Sequence, residues 1–101
     1  MDRKYKLPFV NGGKEFEIPP VTVGLYTKVL EACEKYENKS RAIYDNMKHI
    51  ELAYALLKQV DPNVKKEDIM SMHPDDLAEF IIKAWVVRGK EKDNENFTQG
   101  N

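Results

Sequence analysis

Little in this chain is equipped for covalent chemistry. Its 101 residues include one cysteine, Cys33, and two histidines, His49 and His73. A lone thiol excludes an intramolecular disulfide and a zinc site built from several cysteines, and it fits a reducing compartment. Neither charge is in excess: 16 Lys and Arg stand against 17 Asp and Glu. No long-range field therefore gathers nucleic acid or an anionic membrane. Basic pairs such as Arg3-Lys4 and Lys65-Lys66 are too short to alter that balance. No apolar run approaches the length of a membrane-crossing helix. Met1-Asp2-Arg3-Lys4-Tyr5-Lys6 lacks the apolar centre of a signal peptide, so the expectation is a soluble, intracellular protein. There is no internal repeat.

What is present is enough apolar residue, 42% of the chain, for one modest core. Residues 5–18 read as a β-hairpin. Tyr5, Leu7 and Phe9 alternate with Lys6 and Pro8, Asn11-Gly12-Gly13 supplies positive-φ turn residues, and Phe16 and Ile18 alternate with Glu15 and Glu17. Pro8 suits a strand edge, because it has no amide to donate. Such a hairpin must rest its apolar face on the helices or on a neighbouring subunit. Pro19-Pro20 ends it, Thr22 is a candidate N-cap, and Val21 and Tyr26 are spaced as a hydrophobic staple. The first helix is predicted to reach about Tyr36, with Tyr26, Val29, Leu30 and Cys33 on one face.

A second helix is predicted from about Arg41 to Val60, where Ile43, Met47, Ile50, Tyr54 and Leu57 recur at helical spacing and Ala53, Leu56 and Val60 widen the stripe. Pro62 stops it. A helical turn near Lys66–Met70 leads to a last helix from about Pro74 to Arg88, with Leu77, Phe80, Ile81, Ala84 and Trp85 as its main apolar face. The fold class is thus mainly α with a small N-terminal β-hairpin (α+β), a compact bundle of three main helices plus a short helical turn. One domain spans residues 1–89, and residues 90–101 are polar and aperiodic, as in a mobile tail.

Each reactive residue has a plainer role. His73 with Asp75 and Asp76 could suggest a metal cluster, but a polar residue, proline and two acids are what a helix start requires. His49 stands beside Lys48 and Glu51 on what reads as a charged helix face. Cys33 falls on an apolar stripe with no histidine near it in sequence. Glu31, Glu34 and Glu37 alternate with Lys28, Lys35 and Lys39 as in a solvated, salt-bridged face. Asn11-Gly12-Gly13 lacks the helix and the Lys-Ser/Thr pair of a phosphate loop, and Asn96-Phe97-Thr98 is a glycosylation sequon only by chance in a protein with no sign of secretion. A helix-turn-helix reading fails on its recognition helix, whose basic residues are Lys83 and Arg88 alone among many apolar ones. No nucleophile, base or metal set assembles, and no cofactor is implied.

The last helix is more apolar than one buried stripe requires: Ile82, Val86 and Val87 lie outside it. Such an excess calls for a second covered surface, through self-association or a partner groove. The candidate interaction residues are Phe80, Ile82, Trp85, Val86 and Val87.

Taken in order, several segments resemble the small tail assembly chaperones of long-tailed phages. They are Lys4-Tyr5-Lys6-Leu7-Pro8-Phe9, Ile18-Pro19-Pro20-Val21-Thr22, the helix end Leu56-Leu57-Lys58-Gln59-Val60, Val64-Lys65-Lys66-Glu67-Asp68-Ile69 and Pro74-Asp75-Asp76-Leu77-Ala78-Glu79-Phe80. The similarity covers about residues 5–88. It implies a non-enzymatic protein of the bacterial host cytoplasm, absent from the mature virion, that coats the tape measure protein. Many copies keep that client soluble until tail tube protein polymerises around it. The resemblance also implies a longer product made by frameshifting, for which the codons of Gly89-Lys90 could form the slippery run. The N-terminal hairpin could add an edge strand to a neighbour. The alternative is a small regulatory adaptor or antitoxin-like protein that binds one protein partner stoichiometrically. A small enzyme is a third.

Overall fold

Short capped helices and a two-residue ladder follow one another as β1 (Lys4–Tyr5), β2 (Phe16–Glu17), α1 (Val23–Ala32), α2 (Arg41–Val60), α3 (Lys66–Met70) and α4 (Pro74–Val86). This computed structural model describes residues 3–86. The expectations for Val87, Arg88, Gly89-Lys90, Asn96-Phe97-Thr98 and the tail at 90–101 lie outside the described residues. Within them the architecture is the expected one: mainly α, three main helices, a short helical turn and an N-terminal antiparallel hairpin.

The helix starts follow from side-chain caps. Thr22 Oγ1 accepts from the Leu25 amide at 3.1 Å and Ser40 Oγ from the Ile43 amide at 3.3 Å, each satisfying a donor that the first turn leaves free. The Asp68 carboxylate reaches back to the Lys65 amide at 3.0 Å to start α3. His73 Nδ1 accepts from the Asp75 amide at 3.0 Å, so this histidine opens α4. α1 is shorter than expected: it stops at Ala32, not near Tyr36. The Cys33 amide is shared between the Val29 and Leu30 carbonyls, both at 3.1 Å, and the chain tightens into a 3-10 turn over Glu34–Tyr36. That turn carries the chain to Ser40.

The hairpin is also shorter than its alternation suggested. Lys4 pairs with Glu17 and Tyr5 with Phe16, and the Ile18 amide bonds the Arg3 carbonyl at 2.9 Å. Beyond Tyr5 the chain leaves the ladder. A turn closed by the Val10 amide on the Leu7 carbonyl, at 3.1 Å, buries both Leu7 and Val10, and Pro8 occupies that turn and not a strand edge. Asn11, Gly12 and Gly13 all take positive φ, as the turn composition predicts. The Asn11 amide then donates to Asp61 Oδ2 at 2.9 Å, and the Asn63 amide to Oδ1 at 3.0 Å. These two bonds, the one from Asn11 foremost, hold the Asp61 carboxyl below its usual range. The tip of the hairpin is thereby tied to the end of α2.

The hairpin packs within its own subunit. The Tyr5 ring meets Phe80 edge-on at 5.3 Å between centroids and Phe16 at 6.3 Å. In the core, Ala53, Leu56 and Leu57 of α2 are fully buried, and α1, α3 and α4 each pack on that helix. Two readings of α2 need correction. Ile43, placed on the apolar stripe, is exposed with the rest of the first turn. Glu51, placed on a charged face beside the exposed His49, is only 5% exposed, because α2 is covered on more than one side. Its carboxylate receives the Lys66 ammonium at 2.8 Å, and that bond is the main reason the Lys66 pKa lies above its usual value. The same ammonium stands 5.4 Å from the Tyr54 ring centre.

The Glu51–Lys66 pair is unequal. Lys66→Met leaves a buried carboxylate without its partner and is expected to cost about 1–3 kcal/mol. Glu51→Gln is expected to cost less, since the Lys66 side chain is 37% exposed and can turn its charge to water. Urea unfolding of both variants checks the asymmetry, and equal losses would contradict it.

Candidate interaction surface

α4 has two apolar faces. Leu77, Phe80, Ile81 and Ala84 point into the core. Ile82, Trp85 and Val86 are 65%, 46% and 40% exposed. The five candidate residues therefore divide. Phe80 is fully buried against Tyr5 and is withdrawn from any surface a partner could touch. Trp85, expected on the main buried face, sits at its border. Ile82 and Val86 lie on the outer face as expected, and Val87 is outside the described residues.

The outer row has helical spacing. Ala78, Ile82 and Val86 follow one another at i, i+4 and i+8 along an open, mostly apolar depression completed by Asp75, Glu79 and Lys83. Being open along one side, it suits an elongated surface better than an enclosed small molecule. The Trp85 ring meets Tyr26 of α1 edge-on, 5.2 Å between centroids. Val23, one turn before Tyr26 on α1, is 85% exposed. Periodicity had assigned Val23 no role. The available signal was its position directly after the Thr22 cap, where a valine has no turn beneath it to pack on.

A polar clasp holds the inner edge of this surface. The Tyr5 hydroxyl donates to Glu79 Oε1 at 3.3 Å, and Lys83 Nζ lies 3.4 Å from the Lys4 carbonyl and 5.7 Å from the Tyr5 ring centre. Burial first, and then the Glu79 charge, push the Tyr5 hydroxyl up to about 12.

Three further titratable groups serve the fold. Cys33 is buried just past the end of α1, and burial pushes its thiol up, away from the reactive thiolate. His73 is a helix cap and Glu51 is paired with Lys66. Among the described residues there is no group of three His, Cys, Asp or Glu able to hold a metal ion, and no helix is long and apolar enough to cross a membrane. A recess of about 310 Å³ between Leu7 and Phe9 of the hairpin loop and Met72 is edged by Asp68, His73 and Asp76, which stand in the first turns or caps of α3 and α4. No family model, no curated protein and no solved structure matches this chain.

The Tyr5 contact has a pH signature. Its folded pKa lies above the unfolded value of 10.0, so its contribution is complete below about pH 10 and is lost as pH rises toward 12. In an ultraviolet titration one tyrosine is expected to ionise near pH 12, and Tyr5→Phe should remove that step. A titration curve without such a step would contradict the burial of the Tyr5 hydroxyl.

Proposed function

We propose that this protein is a non-enzymatic tail assembly chaperone that binds the tape measure protein of a long-tailed phage through the outer row of α4. The observation that carries the reading is the exposure of Ile82, Trp85 and Val86 at helical spacing on a helix whose other face is fully engaged in the core. Apolar side chains held in water by a packed scaffold lose that exposure on meeting an apolar helix, at about 25 cal/mol per Å² covered. A long client with many apolar stretches presents many such sites, so several copies act on one chain and multiply weak contacts. The near-balance of charge leaves the docking governed by apolar contact and not by a long-range field. In this reading the protein works in the host cytoplasm, is displaced by tail tube protein and leaves no copy in the finished particle.

In this reading the resemblance of the segments from Lys4 to Phe80 to such chaperones suggests the client, and the exposed outer row is taken as its place of contact. A regulatory adaptor would use the same row with one copy per partner, so stoichiometry separates the two.

Co-expression with a tape measure protein encoded in the same genome is expected to keep that client soluble, with several copies bound per client by light scattering. Ile82→Asp, at an exposed position, should stay folded and lower the soluble client several-fold. A folded Ile82→Asp variant that solubilises the client as well as the unaltered chain would sink the reading. The codons of Gly89-Lys90 are expected to form a slippery run followed by an overlapping frame. A non-slippery stretch without that frame would argue against a frameshifted partner product.

A further inference from the structure

We infer that the outer row of α4 has a direction: it takes an amphipathic client helix antiparallel to itself, with a basic C-terminal turn of the client over Asp75 and Glu79. This deepens the proposed docking role of the row and rests on it. The argument starts from where the charges stand. Asp75 and Glu79 line the depression at the start of α4, and the Asp75 side chain is 93% exposed. Lys83, the one cation among the described lining residues, is drawn inward to the Lys4 carbonyl and the Tyr5 ring. A helix laid on Ala78, Ile82 and Val86 therefore meets negative charge at the start of the row and, among the described residues, no charge of comparable exposure toward its other end.

The client's own chemistry then selects the direction. A helix holds cations best in its last turn, beside its free carbonyl groups. Cations there reach Asp75 and Glu79 only if the client runs against α4. Antiparallel alignment also sets opposite ends of the two helix dipoles side by side. A second copy of this chain fits the row less well. Laid parallel it brings its own Asp75 and Glu79 against the same acids, and laid antiparallel it offers them, among the described residues, only Lys83, which is already engaged.

The chain carries one tryptophan, Trp85, at the edge of this row, and so reports on its own occupancy. The probes are two tryptophan-free helical peptides of identical composition, each with leucines at i, i+4 and i+7. One groups its lysines in the last turn and the other in the first. Titration of the full chain, followed by Trp85 fluorescence, is expected to show the first peptide binding about three- to ten-fold more tightly, the value of two exposed ion pairs. That preference should collapse in high salt. It should also vanish in the double variant Asp75→Lys with Glu79→Gln, which keeps a hydrogen-bond acceptor for Tyr5.

Equal affinity for the two peptides, still abolished by Ile82→Asp, would overturn the direction while leaving the row as a docking surface. Failure of both peptides to bind would overturn the direction and the docking surface together. A dimer held through α4 that excludes both peptides, seen by light scattering and lost in Ile82→Asp, would overturn the proposal in favour of a second copy.

Discussion

Ala53, Leu56 and Leu57 are wholly removed from water because α1, α3 and α4 all close over α2. Burying a leucine side chain is worth about 1.5–3 kcal/mol, so this central helix concentrates much of what holds a domain of this size together. The arrangement also decides what happens to polar groups. Glu51 lies on a side of α2 that a two-layer packing would have left in water, and here it needs Lys66 of α3 to satisfy its charge. The short α3 is thus anchored by one apolar residue, Ile69, and one ion pair.

α4 stands at the other extreme. Its inner face is fixed by Phe80 in the core and by the Tyr5 clasp at its edge, while its outer face keeps Ile82 and Val86 in solvent. A helix locked on one side can hold apolar groups outward without collapsing around them. Preorganisation of this kind spares a partner the entropy of ordering the surface it meets.

How much of this was legible depended on whether the signal was local. Thr22, Pro62 and Pro74 mark helix boundaries through bonds and clashes within a few residues, and α1 and α4 begin, and α2 ends, where those rules place them. Asn11-Gly12-Gly13 declared its positive φ for the same reason. What escaped was set by distant neighbours. The end of α1 at Ala32 comes from a shared amide bond with no glycine or proline to announce it. Burial of Glu51 requires α3 to fold back over α2, and the early departure of the hairpin from its ladder follows from Val10 finding the core. On the outer row, periodicity separated Ile82 and Val86 correctly from the buried face. It could not separate Phe80 from Trp85, because both belong to the same stripe and only the reach of Tyr5 and Tyr26 decides which is covered.

The Tyr5–Phe80 contact joins residues 75 positions apart, which makes the first strand dependent on the last helix. During synthesis α1 and α2 can collapse together as they emerge, since their contacts are close in sequence. β1 and β2 then wait, with the faces of Tyr5 and Phe16 open, until α4 has left the ribosome. Completion of the domain is therefore coupled to the translation of its final described turns. A ribosome that pauses near the end of α4 would be holding a chain whose opening strands have not yet found their place.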